Sequence, residues 1–131
     1  MSPPSYTLPR AAFLVAALFS LVEGARVLRA PGDLFARLDL APPRDAFLWP
    51  ALGGLCLAQA GFLIAAARRP ADAGFARVAV IGRGVQCGLW LWLLGTDRVH
   101  AASRPLALLA AHDAAMLALV AAGLVLARRM P

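Results

Sequence analysis

Four apolar blocks, residues 11–28, 46–67, 73–95 and 105–127, limit what this chain can fold into. Each is close to the ~20 residues that a helix needs to cross the hydrocarbon core of a bilayer. Short runs rich in Arg, Pro and Asp separate them. A soluble four-helix bundle needs a polar stripe on every helix, whereas residues 11–22 and 114–127 are apolar all round. The chain is 61% hydrophobic and 15% charged. A soluble domain carries about half apolar and about a quarter charged residues. The expected fold class is all-α: an integral membrane four-helix up-down bundle.

Local signals set the expected boundaries. Residues 1–9, MSPPSYTLP, are polar and proline-rich and read as a disordered or surface tail. Residues 10–131 form one domain. Helix 1 spans 10–29 and stops at PGD, 31–33. Asp33 then caps a short helix at 34–40, with Leu34, Phe35 and Leu38 on the bilayer surface. Helix 2 spans 45–67, with Pro50 in its early turns. The polar run RRPADAG, 68–74, links it tightly to helix 3 at 73–95. Ser103 and Pro105 open helix 4 at 104–127. The first block has the charge and apolar run of a signal peptide. The following EGARVL offers no small-x-small cleavage site, so the block is read as a retained helix.

All 13 basic residues are arginine, and the formal net charge is +6. Most arginines flank the apolar blocks, where they meet the phosphates of anionic lipids. No RNA-binding aromatic motif accompanies them, so nucleic acid is not an expected partner. Four spans place both termini on one side. That side carries Arg10, Arg68, Arg69, Arg77, Arg128 and Arg129. The other carries Arg26, Arg29, Arg37, Arg44, Arg98 and Arg104. Arg26 falls within helix 1, which tips the balance toward cytoplasmic termini in a bacterial cytoplasmic membrane. Trp49, Trp90 and Trp92 fall toward the non-terminal side and read as an interfacial aromatic belt. Cys56 and Cys87 lie in different spans and read as small buried hydrophobes. Small residues recur at four-residue spacing: Ala16, Ser20 and Gly24, then Gly54 and Ala58, then Gly84 and Gly88. Such spacing allows close helix approach, within the bundle first and in a dimer second.

Arg83 stands in the middle of VAVIGRGVQCGLWLWLLG, residues 78–95. A charge at the bilayer centre costs roughly 2.5–3.5 kcal/mol on insertion scales and normally faces a partner inside the bundle. At about 1.5 Å rise per residue, Arg83 lies about 15 Å deep from the terminal side, Asp113 about 16 Å and Glu23 about 20 Å. Gln59, Gln86 and His112 fall at similar levels, so every helix contributes to one polar layer. Glu23 also has a local alternative in Arg26, one turn on. Such a layer serves as structural glue or as a ligand or proton site. Two carboxylates sharing one guanidinium would leave one acid without a counter-charge. No catalytic arrangement is legible, and no cofactor is expected. His100 falls in the loop and His112 about 12 Å deeper along the helix, which argues against a bis-histidine haem. Adjacent His112 and Asp113 diverge by about 100° around a helix, which argues against a metal.

Four spans with a glutamate in helix 1 resemble the small multidrug resistance transporters, with Glu23 as the matching residue. Residues 30–45 form a longer loop than that family has, and Arg83 occupies mid-helix 3. The chain is more similar to the DoxX-like group of small bacterial four-helix membrane proteins. The shared order is Gly24 after the first apolar run, Pro31 in the link, GGLCLAQAGFLIAAARRP as second helix, and two further spans. That resemblance implies a membrane-embedded bundle and no defined activity. Three functions follow as expectations. The first is an accessory or scaffolding bundle, alone, as a homodimer or with a membrane partner subunit. The second is a dimeric proton-linked transporter or channel. The third is an enzyme or binder of an isoprenoid-like lipid.

Overall fold

A computed structural model gives the fold and describes residues 5–30, 32, 33, 36, 48–95 and 103–130. Four helices follow in order: α1 (Thr7–Arg29), α2 (Leu48–Arg68), α3 (Ala73–Gly95) and α4 (Ser103–Arg129). Helix α1 packs on α2, α2 on α3, α3 on α4, and α4 returns to α1. This closed ring is the up-down bundle expected from four apolar blocks. The α1–α2 seam is the most extensive and the α2–α3 seam the least.

The ends depart modestly from the sequence reading. Helix α1 begins at Thr7, so the last three residues of the expected tail are helical. Pro9 lies in that first turn, where its missing N–H removes no intrahelical bond. Helix α4 runs to Arg129, and its last turn carries Arg128 and Arg129. Cations there complement the negative end of the helix dipole, as Arg26 and Arg29 do in α1 and Arg68 in α2. The start of helix 2 before Leu48 lies outside the described residues. So does the short helix expected at 34–40, apart from Ala36. The α2–α3 link is as tight as expected. The Gly74 N–H donates to Asp72 Oδ1 at 2.9 Å, so Asp72 caps α3. The Asp72 N–H donates to the Arg69 carbonyl at 2.9 Å.

Three helical stretches, Thr7–Arg29, Pro50–Arg68 and Ala107–Arg129, are long and apolar enough to cross a membrane. Helix α3 holds Arg77 and Arg83, yet its outward positions are as apolar as theirs: Val78, Ile81, Val85, Leu89 and Leu91 are all exposed. On α1 the same is true of Leu14, Leu18 and Val22. These surfaces suit lipid rather than water, and the protein is a membrane bundle.

Lipid gives helices no hydrophobic reason to associate, so packing and hydrogen bonds must hold them together. Alanine supplies the packing. Phe13, Leu63 and Val120 interlock with Ala16, Ala17, Ala66, Ala67, Ala76 and Ala79 in one core. It lies toward the end of the bundle that holds both termini. At the opposite end of α1 the backbones of α1 and α2 meet at glycines. A Cβ on Gly24 would come within 3.0 Å of Leu57 and 3.1 Å of the Gly53 carbonyl oxygen. Ala16, Ser20 and Gly24 are all buried, as their spacing suggested. The other small-residue pairs behave differently. Gly54, Gly84 and Gly88 have open space where a Cβ would stand, and Gly53 makes the contact expected of its neighbour.

Gly24→Leu should therefore force α1 and α2 apart and cost about 1–3 kcal/mol, as overpacking does. Gly54→Leu should leave stability unchanged. Thermal unfolding of both variants in detergent checks the contrast.

Candidate functional site

Arg83 is 2% exposed and is the largest fully buried side chain described. Helix α3 points it inward, and its neighbours along the helix complete a polar face. Gln86, Cys87 and Trp90 are buried with it, as a spacing of three, four and seven residues predicts. The guanidinium is shared between two helices. Nη1 donates to Glu23 Oε2 of α1 at 3.0 Å and to Asp113 Oδ1 of α4 at 2.7 Å. Nη2 donates to Ser20 Oγ of α1. The Ser20 hydroxyl donates in turn to the Ala16 carbonyl at 3.0 Å, its own previous helical turn.

Asp113 is 1% exposed and fully engaged. Its Oδ1 accepts from Arg83, and its Oδ2 accepts from Trp90 Nε1 at 2.7 Å. Cys87 adds a weak sulfur contact, Sγ to the Ala110 carbonyl at 3.7 Å. A charge-assisted bond is roughly twice as strong as a neutral one. The low dielectric of a bundle interior makes each unpaired member correspondingly costly. Arg83 and Trp90, two turns apart on α3, thus both hold α4 at Asp113, and among the described side chains Arg83 ties α3 to α1.

Glu23 and His112 sit at the margin of this node. The Glu23 side chain is 23% exposed. It makes its ion pair with Arg83 and, among the described residues, none with Arg26. His112 is 34% exposed; its Nδ1 lies 3.5 Å from Asp113 Oδ1. Its ring meets Phe19 edge-on, with centroids 5.4 Å apart.

The expected polar layer is therefore partly realised. Glu23, Arg83 and Asp113 meet, with His112 beside them. Gln59 and Gln86 lie buried at 3% and 4% exposure, but outside the bonded network. Neither amide atom of Gln59 has a partner, and neither has Gln86 Oε1. Trp90 corrects the expected aromatic belt. It is 7% exposed and turned inward, because its indole N–H is the second donor to Asp113. Trp92 does face outward, and the side chain of Trp49 lies outside the described residues. One member, Ser20, is not legible as polar in the sequence pattern. Ser20 was counted only as a small residue, although it lies three positions before Glu23 on the same face. Helical spacing does place Trp90 on the Arg83 face, two turns on, and the structure shows that this face, not the belt, decides its orientation.

Helical divergence was expected to keep His112 and Asp113 apart, yet their side chains turn toward each other. One ligand atom from each of Glu23, His112 and Asp113 lies within 4.8 Å of the others. Charge still disfavours a divalent ion. Arg83, Glu23 and Asp113 sum to −1 when all are ionised, so such an ion would leave +1 beside a guanidinium that already occupies both carboxylates. An uncompensated charge of either sign is expensive in a low-dielectric interior.

No family model, curated protein or solved structure matches this chain.

Arg83→Met should leave Asp113 buried without its cation and destabilise the bundle by about 3–5 kcal/mol. Arg83→Met combined with Glu23→Gln and Asp113→Asn should recover part of that loss. Equilibrium unfolding in mixed micelles compares the two. Trp90→Phe, which removes one bond to a charged acceptor, should cost about 1.5–3 kcal/mol in the same assay.

Proposed function

We propose that the protein is an accessory or scaffolding bundle of a membrane, whose internal charges hold helices rather than transport a substrate. The observation that carries this reading is the engagement of Arg83. Its guanidinium is buried and committed to Ser20, Glu23 and Asp113 at once. Asp113 in turn uses both oxygens within the bundle. A transport site needs a group that can release one partner for another, and neither residue has one to spare.

The DoxX-like resemblance is compatible with such a role, since it implies a membrane-embedded bundle and no defined activity. We place the protein in a bacterial cytoplasmic membrane with its termini on the cytoplasmic side. Arg10, Arg68, Arg69, Arg77, Arg128 and Arg129 are all exposed at that end of the bundle and suit anionic lipid headgroups. The partner is a membrane subunit or a second copy packed against the apolar exterior. A second reading, a proton-linked transporter or channel, draws on one feature. Glu23 is partly exposed, and the ions of the node carry one negative charge in excess.

Proteoliposomes loaded with a pH-sensitive dye separate the two readings. Under an imposed potential the purified protein should give no proton flux above that of empty vesicles. A flux that Glu23→Gln abolishes would replace the scaffold with the transporter.

A further inference from the structure

The α2–α3 seam holds a second polar feature, outside the hydrogen bonds of the Arg83 node. Gln59 of α2 is 3% exposed, and both its Oε1 and Nε2 are without partners. Exchanging the two atoms changes nothing, since both are free. Gln86 of α3 is 4% exposed, and its Oε1 is also free. Buried polar groups are almost always bonded, to protein or to ordered water. Three orphaned atoms on two facing helices are an exception that calls for an occupant.

Position supports this. Gly82 and Gln86 are four residues apart and share one stripe of α3. Trp90, four residues further on, continues this stripe and turns its indole to Asp113, while Cys87 stands beside it toward α4. The Gln59 amide leans directly on Gly82: a Cβ there would stand 2.7 Å from Gln59 Nε2. Glycine at 82 thus leaves room for the amide against the α3 backbone. The seam is also the least extensively packed in the ring.

The free groups define the chemistry. Two carbonyl oxygens need hydrogen-bond donors, and one amide NH2 needs an acceptor. A fully deprotonated anion, such as a halide or a carboxylate, has no proton to give to the carbonyls. A cation would lie one helical turn from the Arg83 guanidinium. We propose that the α2–α3 seam between Gln59 and Gln86 binds a small uncharged molecule that both donates and accepts hydrogen bonds. Water and a small amide share that chemistry.

The test observes the side-chain NH2 protons of Gln59 and Gln86 by NMR in lipid nanodiscs, with Gln59→Met and Gln86→Met to assign them. Cross-relaxation to water that acetamide leaves unchanged would support bound water. A saturable shift on titration with acetamide, lost in Gly82→Leu, would support an amide guest. The absence of both signals would overturn the proposal. Stability provides a second readout. An occupied site makes Gln59→Met lower the Tm, because the guest loses its hydrogen bonds. A raised Tm would mean that the glutamine is merely an unsatisfied group, and would also overturn the proposal.

Discussion

A guanidinium cannot shed its proton to escape a low-dielectric surrounding. Everything near Arg83 follows from that fact. Once the chain puts this residue mid-helix, other helices must bring acceptors to it. Helix α1 brings Ser20 and Glu23, and helix α4 brings Asp113. The second carboxylate oxygen of Asp113 then needs its own donor, which Trp90 supplies. Each satisfied group fixes the rotation and depth of the helix that carries it. The node therefore specifies the arrangement of α1, α3 and α4, whatever it contributes to net stability.

Helix α2 is held by other means. No hydrogen bond among those described joins its side chains to the node. Its attachment is steric: the Gly24–Gly53 approach to α1, the alanine core at the terminal end, and the short capped link to α3. These contacts work by closeness, which explains why glycine and alanine dominate them. The bundle thus combines directional bonding across three helices with close packing around the fourth.

Much of this was legible in the sequence because the bilayer imposes lengths and depths. Block lengths gave four helices, and rise per residue placed Glu23, Arg83 and Asp113 at one level. Depth alone does not give rotation around the helix axis. That is why Gln59 was grouped with residues it does not bond. For Trp90 the spacing did give the Arg83 face, but its depth near a span end also suited the aromatic belt, and only the bond to Asp113 decides between them. The choice between Gly53 and Gly54 at the α1–α2 crossing was invisible for the same reason. Adjacent residues differ in azimuth by about 100°, and only the packed partner selects one.

The spacing of the node along the chain has a consequence for biosynthesis. Glu23 and Arg83 are sixty residues apart, and Arg83 and Asp113 thirty. During synthesis from the N-terminus, Glu23 enters the insertion machinery first and has no internal cation until α3 emerges. The first three helices then carry a neutral Glu–Arg pair. Helix α4 arrives last with Asp113, and meets an arginine still paired on one side only. The order of residues along the chain thus matches an order of assembly in which the closing helix brings the acceptor that completes the node.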